Sequence, residues 1–259
     1  MNNLSDMIWI ELRKAIRSRM PLWTILGSLL MPLGIAFLIF VAKNPDISQK
    51  LGLVSAKANL MAYSATDWQT YLALFSMIIA AGGFILFALI ISWVFGREFS
   101  DNTVKDMLAV PVQRSSILLA KFIVVAAWSV VLTIAILIAG LITGAVIQLP
   151  GGSPGVILQG SDLMLITACL TIVVVMPFAF FASAGRGYLL PLGLAFLILM
   201  MTNVVALAGW GEFFPWGVPG LYAQGKISLA LISFSIVFLT GLVGMIATYF
   251  WWKYADQSR

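Results

Sequence analysis

Histidine is absent from this 259-residue chain, and cysteine occurs once, as Cys169 within an apolar run. The first absence excludes histidine-based triads and His-containing zinc sites, and it removes the usual proton shuttle near neutral pH. The second excludes a disulfide and a thiolate metal centre, so Cys169 reads as a small buried hydrophobe. Charge is scarce too. Asp, Glu, Lys and Arg make up 10% of the residues, against about 25% in soluble domains. Asp162 and Glu212 stand apart in short external loops and read as solvated end caps, so paired acid–base chemistry has no support. No catalytic residue, metal site or cofactor is expected in this chain.

What the chain has instead is hydrocarbon. Hydrophobic residues are 61% of the total, and charge-free runs cover 20–42, 68–96, 122–161, 163–185, 187–211 and 227–252. Each exceeds the roughly 20 residues that cross a bilayer core. The turn-forming stretch Pro150-Gly151-Gly152-Ser153-Pro154-Gly155 leaves too little of the longest run for a second crossing. The expectation is one all-α polytopic domain over 1–259, with spans at about 21–42, 71–95, 118–149, 163–184, 188–208 and 228–252.

Basic residues orient these spans. Eleven Lys and Arg fall on the side of both termini, and four (Lys43, Lys50, Lys57 and Lys226) on the other. Both termini are therefore expected in the cytoplasm. The net charge of +5 is a topology signal, because its residues flank apolar runs. There is no aromatic-and-basic repeat for a nucleic-acid groove. Trp23, Trp93, Trp251 and Trp252 fall at cytoplasmic ends, and Trp68, Trp210 and Trp216 at external ones, as interfacial anchors do. The first apolar run is too long for a signal peptide and has no small-residue cleavage pattern, so it is expected to remain as a span.

Residues 4–20 form an amphipathic pattern suited to the membrane surface. Leu4, Met7, Ile8, Leu12, Ala15 and Ile16 share one face; Arg13 and Arg17 lie opposite, with Lys14 at the edge. Glu11 falls inside the apolar stripe. Either it pairs locally with Lys14, or it contacts the charged segment between spans 2 and 3.

None of the predicted spans needs an ionisable residue at its centre, which weighs against a proton-coupled carrier. Asn203 is the most polar residue near a span centre, with helix packing and substrate contact both open. Gly140 and Gly144 match the GxxxG close-packing pattern, for packing within the chain or at a dimer seam. Pro32 and Pro177 can kink the first and fourth spans. Gly220-Leu221-Tyr222-Ala223-Gln224-Gly225-Lys226 imitates a phosphate-binding loop, but Ile227 stands where the Mg²⁺-holding hydroxyl belongs, and no strand precedes it.

The remaining feature is Phe95 to Lys121, FGREFSDNTVKDMLAVPVQRSSILLAK, a polar stretch between two hydrocarbon runs. Such a segment is expected in water. Ser100 or Asp101 can cap a short helix beginning at Asn102 or Thr103, and Pro111 stops it. Val104, Met107 and Leu108 share its buried face, with Lys105 and Asp106 pointing elsewhere. A docking element and a solvated connection both fit that pattern. The elements Arg97-Glu98, Asp101, Thr103, Lys105-Asp106, Leu108, Pro111, Arg114 and Ala120-Lys121 closely resemble the corresponding segment in permease subunits of type-2 ABC exporters. The lead-in Glu11-Leu12-Arg13-Lys14 and the six-span layout are also similar to that family.

The resemblance implies a half-transporter subunit in a bacterial cytoplasmic membrane. Two such subunits pair, as a homodimer or with a paralogue, on two ATP-binding-cassette ATPases that bind ATP and Mg. It further implies a coupling loop over 96–117, with Arg97, Glu98, Lys105, Asp106 and Arg114 serving loop folding and ATPase contact. Subunits of this size in the family often export peptides or confer resistance to antimicrobial peptides.

Overall fold

The computed structural model describes residues 3–43, 67–101, 103–104, 112–225 and 231–254. Among them every regular element is helical. A surface-amphipathic helix, α1 (Asn3–Arg17), leads through a bend into α2 (Met20–Lys43), the first span. Span 2 comprises α3 (Trp68–Ile78), a π-helical turn (Ile79–Gly83) and α4 (Phe84–Ser100). Span 3 is α5 (Arg114–Val146), and span 4 is α6 (Pro154–Val175) continued by α7 (Phe178–Ala184). Span 5 is α8 (Leu189–Leu207). A 3₁₀ turn (Gly211–Phe213) and the short α9 (Val218–Ala223) then precede span 6, α10 (Leu231–Tyr254). Among the described residues six helices are thus long and apolar enough to cross a membrane.

Local chemistry sets several boundaries. Asp67 opens span 2 with a capping box: its carboxylate accepts from the Thr70 N–H at 2.9 Å, and Thr70 Oγ1 accepts from the Asp67 N–H at 3.4 Å. Span 4 begins at Pro154, earlier than charge counting places it, because Ser153 caps the helix and proline suits its first turn. Asp162 therefore lies on an exposed face within α6 and caps nothing. Pro177 ends α6 and restarts the chain as α7. The π turn has the sequence Ile-Ala-Ala-Gly-Gly; the widened turn sits mid-span, where such insertions often accompany function.

Span 4 is the most enclosed, with 61% of its apolar window buried, whereas span 5 has only 11% buried and lies at the periphery. Cys169 belongs to the exposed side of span 4, which corrects its reading as a buried residue. Two tryptophans placed as interfacial anchors are instead inside the protein. Trp252 is fully buried, donating from Nε1 to Ser183 Oγ at 2.9 Å, and Trp68 is 7% exposed. Two apolar clusters result. One gathers α1 and spans 2 to 4 with Ala195 of span 5, Val218 of α9 and Val237 and Trp252 of span 6. The other centres on Trp68, Tyr71, Leu72 and Phe75, packed against spans 1, 3 and 4 at the opposite end.

Candidate functional site: an ionic clamp at the base of a polar segment

The segment that follows span 2 leaves from α4 and returns into α5. Its two bases are joined by charge. Lys121 on α5 is fully buried; its Nζ donates to Glu98 Oε1 at 2.8 Å and to the Val94 carbonyl at 2.9 Å. The second Glu98 oxygen lies 2.7 Å from the same ammonium, without a directed hydrogen bond. Helix α1 completes the cluster. Glu11 Oε2 accepts from Lys121 at 3.2 Å, and Lys14 donates to Glu11 Oε1 at 2.7 Å and to Glu98 Oε1 at 3.2 Å. Two carboxylates and two ammoniums thus neutralise one another across three helices.

This arrangement explains the carboxylate in the apolar stripe of α1. Glu11 is 5% exposed because that stripe packs on span 3, where the buried cation is waiting. Both readings of Glu11 hold at once: it pairs with Lys14 locally and with Lys121 beyond the polar segment. Burial alone would raise the Glu11 carboxyl, but the Lys121 and Lys14 ammoniums outweigh it and hold the group below its ordinary value. Burial likewise acts to lower Lys14, and the Glu11 and Glu98 carboxylates overcome it, leaving Lys14 raised.

The expectation that the whole stretch from Phe95 to Lys121 sits in water is corrected. Phe95, Glu98 and Lys121 are inside the protein. Glu98 therefore has no free surface for a partner, and its contacts are all with this chain. Lys121 was legible as a charge, but nothing local marked it as buried; the one signal was the misplaced Glu11, whose stripe demanded a cation opposite.

The neighbouring residues divide. Arg97 stacks over the Trp93 ring, 5.0 Å from its centroid, and its Nε lies 3.5 Å from Asp101. Asp101 closes α4 as its C-cap, its N–H bonded to the Arg97 and Phe99 carbonyls, so neither Ser100 nor Asp101 opens a new helix. The Thr103 N–H returns to the Glu98 carbonyl at 2.9 Å. Helix resumes at Val104, which is buried. Lys105, Asp106, Met107, Leu108 and Pro111 lie outside the described residues. Arg114 reaches across to span 6, its Nη1 donating to the Trp252 carbonyl at 2.6 Å and the Lys253 carbonyl at 3.3 Å. A guanidinium there answers the unpaired carbonyls at a helix C-terminus. On α1, Arg13 and Arg17 are exposed, opposite the buried Glu11.

The other candidate residues lie at the far end. Gly140 and Gly144 face span 2. A Cβ at Gly140 would stand 2.9 Å from the Phe75 ring, and one at Gly144 2.7 Å from the Trp68 ring. In this chain the pair admits aromatic rings of a neighbouring helix. Asn203 lies in the last turns of α8 and not at a span centre, with its amide donating to the Leu199 carbonyl of its own helix at 3.1 Å. It also borders a cavity of about 200 Å³, together with Ala80 and Ala81 of the π turn, Thr202, Trp216 and Gln224. Lys226 of the imitation phosphate loop lies outside the described residues, but residues 220–223 of it belong to the short helix Val218–Ala223, not to a loop after a strand. No group of His, Cys, Asp and Glu among the described residues could hold a metal.

Comparison with known proteins agrees with this architecture. Residues 7–203 match the ABC-2 family transporter protein family, a stretch that contains most of α1, the ionic clamp and the first five spans almost to their end. The chain is also 27% identical over 177 residues to the bacitracin transport permease protein BCRB of Bacillus licheniformis, covering 67% of this chain and 85% of that protein.

Proposed function

Since the chain belongs to the ABC-2 family of transporter proteins and is a multi-pass membrane permease, we propose that it is the membrane half of an ATP-driven exporter whose motor is a separate ATPase. The observation that carries this reading is the ionic clamp. Glu98 and Lys121 bracket the polar segment, so a force applied between them reaches spans 2 and 3 together, and Glu11 and Lys14 bring α1 with them. A buried charge pair is a poor source of net stability, but its geometry is stiff, and breaking one partner is strongly unfavourable. Those are the properties of a transmitting joint.

In this reading the segment from Asp101 to Gln113 docks in the ATPase, with Met107 and Leu108 supplying apolar contacts and Lys105 and Asp106 charged ones, while the buried Val104 holds the segment to its own chain. ATP and Mg bind to that partner. Two permease chains pair around the path, both termini face the cytoplasm, and the membrane is the bacterial cytoplasmic one. The likeness to a bacitracin permease favours an amphipathic peptide antibiotic as cargo, for export or resistance. The cavity beside Asn203 and the π turn is the candidate place for cargo contact.

The test is purification in mild detergent from the native host, followed by reconstitution. An ATPase co-purifying at about equal stoichiometry, and peptide flux that needs ATP, is the expected result. Charge reversal at Lys105 or Asp106 should then uncouple hydrolysis from flux while insertion stays intact. Gradient-driven flux by this protein alone would establish a passive channel or secondary carrier instead. Absence of flux with any partner would leave only a scaffold role.

A further inference from the structure

We propose that a groove at the α1 end, between span 2 and the start of span 5, binds a phospholipid and selects a phosphoethanolamine headgroup. The groove encloses about 500 Å³. One wall is a single stripe of α4, formed by Leu89, Trp93, Arg97 and Asp101. These residues recur every fourth position and so share a helix face. At about 1.5 Å per residue the stripe runs roughly 18 Å, grading from hydrocarbon through an indole to a charged pair. Tyr188 and Leu192 of span 5, also four apart, repeat the polar-to-apolar gradient on the same groove. Its polarity therefore varies along its length as a phospholipid's does, from acyl chain through the glycerol region to headgroup.

Close backbone packing builds the groove. Gly96 lies directly on the turn before span 5: a Cβ there would come 2.7 Å from the Gly187 carbonyl carbon. The turn is shaped by Arg186, whose φ of 50° is left-handed. Tyr188 is 51% exposed, so the groove is open to the bilayer at the level where Trp93 sits.

Charge chooses the headgroup. Arg97 and Asp101 are the charged side chains lining the groove among the described residues. Arg97 directs only its Nε towards Asp101, at 3.5 Å, and the outer nitrogens of its fork make no hydrogen bond among those residues. They can grip a phosphate. An acidic headgroup would leave the Asp101 carboxylate facing a second negative charge. A phosphoethanolamine satisfies both, with phosphate on Arg97 and ammonium on Asp101. A choline cannot donate a hydrogen bond to that carboxylate.

The full-length chain, delipidated in detergent, should be offered phosphatidylethanolamine, phosphatidylglycerol and phosphatidylcholine with matched acyl chains, and retention followed by native mass spectrometry. Phosphatidylethanolamine should be held about tenfold more tightly than either, the effect of one charge-assisted hydrogen bond. Arg97→Gln should weaken all three. Asp101→Asn should remove the preference while phosphatidylglycerol binds at least as well as before. Leu192→Trp should block binding by filling the apolar end with both charges intact, and thermal unfolding of each lipid-free variant should match the parent. Equal or tighter binding of phosphatidylglycerol by the parent, a preference that survives Asp101→Asn, or no retained lipid would overturn the assignment. So would crosslinking between two copies through Tyr188→Cys in a Cys169→Ser background with no lipid bound, since a second chain would then fill the groove.

Discussion

The two ends of this molecule are held together by opposite means. At the α1 end three helices meet on buried charge, with Lys121 enclosed by Glu98, Glu11 and the Val94 carbonyl. At the other end spans 2 and 3 meet on aromatic rings set against glycine. Trp68, Tyr71 and Phe75 stack edge to face along α3, and Gly140, Gly144 and Gly152 leave room for them. Tyr71 adds a hydrogen bond to the Gly140 carbonyl at 2.9 Å. The lesson is one of tolerance. Ring packing is short-ranged and weakens by degrees, whereas a closed charge cluster is either complete or leaves an ion stranded in low dielectric. The end that would receive work from an ATPase is the end built on the all-or-none interaction.

Breaking the cluster should have the largest effect. Lys121→Met leaves two buried carboxylates sharing the single Lys14 ammonium and should destabilise the protein by about 3–5 kcal/mol, read from thermal unfolding in detergent. Adding Glu11→Gln and Glu98→Gln should return most of that stability. Recovery of stability without recovery of coupled flux would separate the cluster's transmitting role from its structural one.

At the opposite end Gly144→Ala places a methyl 2.7 Å from the Trp68 ring. The cost of such overpacking is about 1–3 kcal/mol. Because the rings can shift, the loss should be smaller than for Lys121, and Trp68→Phe in the same chain should relieve part of it. Tyr71→Phe removes the neutral hydrogen bonds to the Gly140 carbonyl and with Thr143 Oγ1 and should cost about 1–2 kcal/mol.

Acid and base should also distinguish the ends. Glu11 is held below its ordinary value in the fold, so its contribution is present above the unfolded carboxylate pKa and is lost as pH falls through the lower folded value. Lys14 is raised, so its contribution is complete below the unfolded ammonium pKa and is lost as pH rises through the higher folded value. The α1 end should thus release from both sides of neutrality, seen as faster hydrogen exchange in α1. The far end carries Asp67, lowered by its hydrogen bonds from Thr70, and should loosen in acid. Asp67→Ala, which removes that cap, should be the smallest perturbation, at about 1 kcal/mol or less.

Much of the architecture could be read along the chain. Each span reveals itself within its own residues, since hydrocarbon excludes charge and a helix rises by a fixed step. The boundary at Pro154 went astray for a local reason: charge counting cannot tell a charged residue in a helix from one beyond it, and Asp162 is in a helix. The site was legible only in part. Arg97, Glu98, Arg114 and Lys121 could be picked out as a group, and Glu11 as an anomaly. Their division of labour could not, because charged side chains that are neighbours in sequence face in different directions. Arg97 lies on Trp93, the next residue points into the core, and Arg114 caps a helix 138 residues away. Cys169 and Trp252 exchanged expected places for the same reason, one turning outward and the other in.

By itself the sequence determined that this protein is a helical membrane protein with six spans and a polar segment between spans 2 and 3. Those properties follow from composition, length and local pattern. Only the tertiary structure decided that the segment's two bases are clasped by Glu98 and Lys121 and that α1 is fastened to them through Glu11 and Lys14. A buried ion is stable only beside its counter-ion, and these partners lie up to 110 residues apart, so no reading along the chain could pair them.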